Sequence, residues 1–337
     1  MSGRRLAAGV AVLGSLVGVA ACGTADTDAS DRAIRALAGS TATSTPATTT
    51  TVAASPSSCG DPRVSSPALA PLPAAQTLAG DPAIGRILAR GRLVVAVDEN
   101  TEGLASRDST GRLVGLEIDV VRSLAASIFG DGSDSRLQLV TVTTRQKVEY
   151  PAHGDVDLAI SAISMTCERW GSVAFSSEYF TAHHAFLVRD DSPLHAVSDL
   201  AGQRVCMTRG STSIAILAGI GLQPPPRARL VDARTDCLVA LQEGEADAYF
   251  GHDTFLVGMA HQDQGLRIVT EGDAQHYGIA VNPHDVTLVR YVNAVLDQLR
   301  DDGTLANLYE RWLGPLYRQA GQALPEVPVP ETTRVSP

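Results

Sequence analysis

The stretch "ISAISMTCERWGSVAFSSEYF", from Ile160 to Phe180, begins as an apolar strand and then changes character. Hydroxyl side chains gather at the end of the strand, and Arg169 follows directly after Glu168. A guanidinium group can bind a carboxylate through two parallel hydrogen bonds. Hydroxyls and free backbone amides at a strand-to-helix turn also suit an anion. The stretch therefore predicts a carboxylate site; the alternative is a surface loop with a solvated Glu-Arg pair.

Strand-like and helix-like runs alternate on both sides of this stretch. "RLVVAVDEN" (92–100) has the pattern of a buried strand, and "GLEIDVVRSLAASIFG" (115–130) repeats its apolar residues with the period of a helix. The run 286–314 has the pattern of one long closing helix. This alternation predicts an α/β chain with mostly parallel sheets.

Ligands of such sheets bind at the carboxyl ends of the strands. Polar residues occupy these positions: Asp98, Ser161 to Ser164, Thr208 to Thr212, and His252 with Asp253. At 210–213, "GSTS" lies between a strand and a helix, where exposed amides and the helix dipole favour an anion. Asp253 could hold a cation. Together with Arg169, these groups suit an α-amino acid. Taken singly, each could be only a helix cap.

Composition excludes some classes of function. The 337 residues carry a formal net charge of -10, with 44% hydrophobic and 19% charged residues. Phosphate binding needs clustered Lys and Arg, so no nucleic-acid partner is expected. No basic amphipathic run favours a membrane surface held by charge. No metal-ligand spacing or cofactor motif is present, so neither a metal site nor a cofactor is expected.

The N-terminus has the pattern of an export signal. Arg4 and Arg5 precede an apolar run, Leu6 to Ala21, that ends in small residues before Cys22. We expect residues 1–21 to be a lipoprotein signal peptide and Cys22 to be acylated; the alternative is an ordinary cleaved signal. The protein would then be exported and held on the outer face of the cytoplasmic membrane.

Low-complexity segments flank the expected folded part. Residues 22–58 are rich in Ser, Thr and Pro, which is typical of a flexible tether. Residues 321–337 are rich in Pro and are expected to be a disordered tail.

Four cysteines remain after Cys22, an even number in an oxidising compartment. They allow three pairings. Cys206 lies in a strand-like run and Cys237 in a helix-like run one supersecondary unit later. We favour Cys206 with Cys237, which leaves Cys59 with Cys167; four free thiols are the alternative.

The chain resembles the bacterial extracellular solute-binding proteins of family 3, the polar amino-acid receptors of ABC importers. The resemblance covers about 78–316 and rests on the order and spacing of several motifs: "GLEIDVVRSLA", "GDVDLAISAISMTCERWGSVAFSSEYF", "DLAGQRVCMTRGSTS", "LQEGEADAYFGHD", "YGIAVNP" and "LRDDGTLANLYERWLG". Within the family, the tether and the anchoring cysteine are similar to those of actinobacterial glutamate- and glutamine-binding lipoproteins.

The resemblance implies a periplasmic-binding-protein fold of type II, with two α/β lobes that close over the ligand. One lobe would comprise 59–183 and 282–320, and the other 184–276. Two crossing strands would join them, with hinges at Glu178 to His183 and His276 to Val281.

The resemblance also implies roles for single residues around the ligand backbone. Arg169 matches the arginine that binds the α-carboxylate, and Ser164 matches a hydroxyl that helps to fix the ligand backbone. Thr212, with Ser211, matches the turn of the second lobe whose amide meets the carboxylate.

Two further positions match groups that bind the ligand's ammonium. Ala162 would offer its carbonyl, where the family usually has glycine. Asp253 would supply the carboxylate.

Selectivity for the ligand side chain is implied at three positions: Asp98, Thr208 and His252. Arg107 and Arg145 are candidates for a side-chain carboxylate, with surface or inter-lobe salt bridges as their alternative. Asp98 would favour an amide and Arg107 an acid.

The expected function is capture of glutamate, glutamine, aspartate or asparagine by a monomer and delivery to an ABC permease, without catalysis. One alternative is a sensor that signals through a membrane partner. The other is a dehydratase of the same fold, which would need a general acid in the cleft.

Overall fold

The structure, a computed structural model, describes residues 59–331. The expected signal peptide, acylated Cys22 and tether therefore lie outside the described residues. The α-helices are α1 Pro82–Arg90, α2 Leu116–Phe129, α3 Gln146–His153, α4 Cys167–Trp170, α5 Thr212–Ile220, α6 Thr235–Gln242, α7 Asp253–Gln262, α8 Val286–Asp301, α9 Thr304–Trp312 and α10 Gly314–Gln319. Short 3-10 helices span Ala75–Leu78, Asp134–Arg136 and Val197–Leu200.

The strands form two five-stranded sheets and one small sheet. They are β1 Leu93–Val97, β2 Asn100–Thr101, β3 Ala105–Arg107, β4 Leu113–Val114, β5 Leu137–Thr141, β6 Leu158–Ala159, β7 Ala174–Phe175, β8 Phe180–Arg189, β9 Arg204–Thr208, β10 Arg227–Val231, β11 Ala248–His252, β12 Leu266–Tyr277 and β13 Ala280–Val281. The sheet orders are β5-β1-β6-β13-β7, β10-β9-β11-β8-β12 and β2-β3-β4.

The first large sheet is the centre of one lobe. β5, β1 and β6 run parallel, and β13 pairs antiparallel with β6 and β7. Every residue of β1 is buried, as expected for a central parallel strand covered on both faces. Helix α8 packs here through a stripe of apolar residues that includes Leu288, Val292 and Val295.

The second large sheet is the centre of the other lobe. β10, β9 and β11 run parallel, whereas β8 and β12 are antiparallel to their neighbours. Two separate apolar clusters pack in this lobe. One contains Leu187 and Tyr249, and the other contains Phe186 and Phe250.

Two long strands connect the lobes. β8 and β12 pair from Phe180 and Tyr277 at one end to Arg189 and Leu266 at the other. Phe180 and Tyr277 belong to the core of the first lobe, whereas Leu266 belongs to the core of the second. The mixed, two-lobe α/β fold with a two-strand connection is therefore confirmed.

Both favoured cysteine pairs form disulfides. Cys206 and Cys237 tie β9 to α6, and Cys59 and Cys167 tie the first described residue to α4. The alternative of four free thiols is wrong in this structure.

The C-terminal region differs from the expectation in two ways. The run expected to be one helix is divided into α8 and α9, because Gly303 between them adopts a left-handed conformation with φ 75°, and α10 begins at Gly314, where the run ends. Part of the expected disordered tail also has a defined place. Leu324 and Val327 pack against the core of the first lobe, and the carbonyl of Glu331 accepts a hydrogen bond from the amide of Ser65.

Within residues 59–331, no helix is long and apolar enough to span a membrane.

The Cys206–Cys237 bond should stabilise the second lobe. It closes a sequence separation of 31 residues, for which the entropy of the unfolded chain predicts about 3.7 kcal/mol. We expect Cys206→Ala/Cys237→Ala to lower the free energy of unfolding by that amount in urea denaturation. Peptide mapping without reduction checks the pairing itself; cross-linked peptides joining Cys206 to any other cysteine would contradict it.

Candidate ligand-binding site

A small cavity of about 20 Å³ lies where the strand ends of the two lobes meet. It is lined by Thr144, Lys147, Ala162, Ser164, Arg169, Thr208, Ser211, Thr212, Ser213, Arg234, Tyr249, Phe250, His252 and Phe255. Seven of the predicted site residues are therefore brought together here: Ala162, Ser164, Arg169, Thr208, Ser211, Thr212 and His252.

Arg169 reaches across the cleft from the first lobe to the second. Its Nη1 donates to the carbonyl of Ser164 at 3.0 Å and its Nη2 to the carbonyl of Gly210 at 3.5 Å. The Thr166 hydroxyl caps the short helix α4 by accepting from the amide of Arg169. Burial lowers the pKa of Arg169 to about 10, so the side chain stays cationic at neutral pH. Among the described residues it forms no ion pair, which leaves its charge available to an anion.

The opposing turn of the second lobe begins at Gly210, whose φ of +77° lies in the left-handed region. Ser211 then occupies the N-cap of α5 in an extended conformation, so the first amides of α5 lie at the cavity. Helix α5 has no charged residue. The turn thus has the backbone expected of an anion site.

Several buried polar atoms of the cavity lining have no hydrogen-bond partner within the described structure. They are Ser164 Oγ, Ser211 Oγ and His252 Nε2. Buried polar atoms are normally paired, so these three atoms are suited to a polar ligand.

Ala162 has a different environment from the one the resemblance implies. Its carbonyl accepts from Lys147 Nζ at 3.1 Å, and the carbonyl of Ser161 accepts from the same Nζ at 2.9 Å. Its amide donates to Glu117 Oε1 at 2.7 Å, and its φ is 48°. A lysine of the protein thus already contacts the carbonyl that was expected to meet the ligand's ammonium.

Asp253 is buried at the start of α7 and does not line the cavity. Its Oδ1 accepts from the amides of His183 and Thr254 at 2.9 and 2.7 Å. Its Oδ2 lies 3.6 Å from His183 Nδ1, and this carboxylate raises the pKa of His183. The role of Asp253 towards a ligand ammonium stays a prediction.

Asp98 forms an ion pair with a residue of the other lobe. Arg234 Nη2 lies 3.3 Å from Asp98 Oδ2, and its Nη1 donates to Thr101 Oγ1 at 2.6 Å. The guanidinium also lies 4.4 Å from the ring centre of Phe255. Although burial opposes the charge, Asp98 helps to hold the pKa of Arg234 above its ordinary value.

A second cavity of about 140 Å³ adjoins this ion pair. Residues of both lobes line it: Asp98, Asn100, Val142, Thr143, Thr144, Asp232, Ala233 and Arg234. Thr144 and Arg234 belong to both cavities, so the two spaces are neighbours along the seam between the lobes.

Arg107 and Arg145 line neither cavity. Arg107 is 53% exposed and pairs with Glu99 at 2.5 Å. Arg145 is exposed and lies 3.6 Å from Glu149. Their alternative interpretation, as surface salt bridges, agrees with these contacts.

Thr208 and His252 are held by tyrosines. Thr208 Oγ1 lies 3.2 Å from the hydroxyl of Tyr249, and His252 Nδ1 lies 2.6 Å from that of Tyr277. Burial moves the pKa of His252 well below its ordinary value, so its neutral form faces the cavity.

Two cationic residues of the cavity lining, Lys147 and Arg234, were not predicted from the sequence. Arg234 lies in the short turn after β10, three residues beyond Val231, and directly precedes α6, the kind of position that pointed to the other site residues. Lys147 lies in a polar helix with Pro151 in its interior, a pattern typical of a surface, so nothing local indicated its burial.

A sequence comparison agrees with this geometry. Residues 93–315 match the model of the bacterial extracellular solute-binding proteins, family 3. The chain belongs to this family. The relatives named below are, by their names, binding proteins or receptors rather than enzymes.

Characterised relatives bind glutamine or glutamate according to their names. The glutamine-binding protein of Geobacillus stearothermophilus is 33% identical over 208 residues, which are 60% of this chain and 78% of the relative. The ABC transporter glutamine-binding protein GlnH of Bacillus subtilis is 28% identical, over 65% and 79% of the two chains. The glutamate-binding protein GluB of Corynebacterium glutamicum is 30% identical, over 66% and 79%.

Solved structures share the fold. Holo ArgBP from T. maritima has a TM-score of 0.58 and 27% identity, over 64% of this chain and 93% of that one. The receptor for L-cysteine of Neisseria gonorrhoeae has a TM-score of 0.65 and 23% identity, over 69% and 94%. The second likeness concerns the fold alone.

We expect the free energy of unfolding of the protein to decrease in acid because of His184. This residue of β8 is buried, stacks on Phe250 and meets His252 edge-on. Burial lowers its pKa from 6.5 to about 4. Between pH 6.5 and 4, His184 is protonated in the unfolded chain but not in the folded one. The free energy of unfolding is therefore lower at pH 4 than at pH 7, by about 3 kcal/mol.

Urea denaturation from pH 4 to 7 checks this expectation. His184→Phe, which keeps the stack on Phe250, should have a flatter dependence on pH than the wild type in this window. Equal slopes for the two proteins would contradict the assignment to His184.

Proposed function

We propose that this protein is a lipid-anchored receptor outside the cytoplasmic membrane that captures a polar L-amino acid and delivers it to an ABC importer. The ligand class comprises glutamate, glutamine, aspartate and asparagine. The membership of the family and the names of the relatives support the general activity.

The observation that carries the proposal is the position of Arg169. Its guanidinium is buried between the lobes, contacts carbonyls of both, and forms no ion pair among the described residues. An uncompensated buried charge is unfavourable by several kcal/mol. An α-carboxylate between Arg169 and the first amides of α5 would supply the compensation.

The connection between the lobes supports a hinge. Glu178 and His276 lie on the two connecting segments, and Glu178 Oε1 accepts from Thr181 Oγ1 at 2.5 Å and lies 2.8 Å from His276 Nδ1. The contact between Glu178 and His276 joins the two segments beside the first lobe. Rotation there would open the cleft while each lobe keeps its own core.

Isothermal titration calorimetry tests the proposal. The secreted Cys22→Ala form of residues 22–337 would be unfolded and refolded to remove bound ligand, then titrated with glutamate, glutamine, aspartate, asparagine, arginine and histidine. We expect micromolar or tighter binding of at least one of the first four. Arg169→Ala should weaken it at least about 100-fold, because it leaves the ligand carboxylate buried and unpaired.

Circular dichroism of each variant separates loss of binding from loss of fold. Binding of only arginine or histidine would overturn the ligand class. A folded protein that binds none of the six ligands would overturn the amino-acid receptor itself.

Lipid anchoring is tested separately through Cys22, which lies outside the described residues. We expect the wild-type chain to be found with membranes and to incorporate a labelled fatty acid. Cys22→Ala removes the thiol that would be acylated, so this variant should incorporate no labelled fatty acid. A Cys22→Ala variant that is still labelled would contradict acylation at Cys22.

A further inference from the structure

The small cavity is lined by three cationic side chains and by no carboxylate among the described residues. They are Lys147, Arg169 and Arg234. Within residues 59–331, only Arg234 of these three has a carboxylate partner, since it pairs with Asp98. In the same part of the chain, the side chains of Lys147 and Arg169 donate to backbone carbonyls alone. Two buried cations are therefore available to anions.

Lys147 has one N–H donor that is not used by the two carbonyls it contacts. The residue is only 3% exposed, and its Nζ donates to the carbonyls of Ser161 and Ala162. An ammonium group has three N–H donors, so the third can meet a ligand. Burial, followed by the charges of Arg234 and Arg169, moves the pKa of Lys147 well below its ordinary value. A carboxylate beside Nζ would restore the charged form.

Asp98 cannot serve a ligand amide freely, because both of its oxygens are engaged. Oδ1 accepts from the amide of Asn100 at 2.8 Å, and Oδ2 pairs with Arg234. The carboxylate that would favour glutamine or asparagine is thus neutralised from the opposite lobe.

Within the described residues, no carboxylate lines the small cavity beside Lys147 and Arg169, and the third cation, Arg234, is already paired with Asp98. Glu117 is buried nearby, but its Oε1 is engaged by the protein, since it accepts from the amide of Ala162 and from the hydroxyl of Tyr179. Glutamate and aspartate each carry a net charge of -1, whereas their amides are neutral.

We propose that the ligand is an acidic amino acid, and that Lys147 and Arg234 set this preference. Lys147 receives the side-chain carboxylate directly. Arg234 acts as a positioning residue, because it withdraws Asp98 from the ligand and removes a negative charge that would repel an acid. The inference rests on the proposed function and narrows its ligand class.

Titration of ligand-free residues 22–337, carrying Cys22→Ala, provides the test. We expect glutamate or aspartate to bind at least tenfold more tightly than glutamine and asparagine at pH 7. Lys147→Met should weaken binding of the acid at least 30-fold and binding of its amide less than threefold. Lys147→Arg retains a cation and should retain the preference. Arg318→Met, at an exposed pair with Glu310, is the charge-matched control and should change neither affinity.

A double-mutant cycle tests Arg234. Arg234→Gln alone should weaken the acid relative to the amide, because Asp98 regains an uncompensated charge. Asp98→Asn in the same chain should restore the preference for the acid, since Lys147 is unchanged. A double variant that prefers the amide would overturn the role of Arg234.

Two outcomes would overturn the inference as a whole. One is a wild-type protein that binds an amide as tightly as the corresponding acid. The other is an equal loss of both affinities in Lys147→Met, which would assign Lys147 to structure alone. Absence of any amino-acid binding in a folded sample would instead contradict the proposed function, so the two failures are distinguishable.

Discussion

The positive charge of Arg169 lies in the seam between two lobes, where the described groups that it contacts are carbonyls rather than carboxylates. A guanidinium keeps its charge even when buried, so the chain must hold this side chain in place by other means. Thr166 caps its helix, and the neighbouring Cys167 is bonded to Cys59. Because none of these groups is negative, an anion from outside the protein would complete the environment of Arg169, as the proposed function requires.

On the proposed function, the same charges would couple closure to ligand capture. Lys147 and Arg169 belong to the first lobe, whereas Arg234 belongs to the second, so closing the cleft would bring like charges together in a poorly solvated space. Burial, then the charges of Arg234 and Arg169, lowers the pKa of Lys147, which agrees with this repulsion. An anionic ligand would offset the repulsion, and its interaction energy would then be available only in the closed form. The Asp98–Arg234 pair offsets part of the repulsion across the seam.

The sequence predicts the framework well because periodicity and strand ends are local properties. Ser164, Arg169 and Thr212 each stand where a strand meets a helix, and the structure brings all three to one cavity. The tertiary position of Lys147 is not a local property. Its helix is polar and contains a proline, and only packing of α3 against β6 and β13 turns the lysine inwards. Because segments distant in sequence bury this lysine, the residues that flank it in the chain do not indicate its burial.

Arg107 illustrates the opposite error. It follows a strand-like run and carries the charge that an acidic ligand needs, yet β3 pairs with β4 in a small sheet whose turn holds Arg107 outward, against Glu99 and the carbonyl of Gly111. The long strand β12 was also missed, because "LRIVTEGDAQHY" mixes charged and apolar residues without a clean alternation. The strand β12 forms because it pairs with β8 along its length, although its own sequence does not have a strand pattern.

Both disulfides end beside residues of the cavity, and this position has a consequence for affinity. Cys167 is two residues before Arg169, and Cys206 is two residues before Thr208, while Cys237 lies three residues after Arg234. Segments at strand ends are otherwise the freest parts of an α/β lobe, and ordering them on binding would oppose association. Cross-links at these points restrict each half of the site before the ligand arrives. On the proposed function, the remaining motion would be concentrated where the strands β8 and β12 leave the first lobe, and more of the interaction with the ligand would be available for closing the cleft.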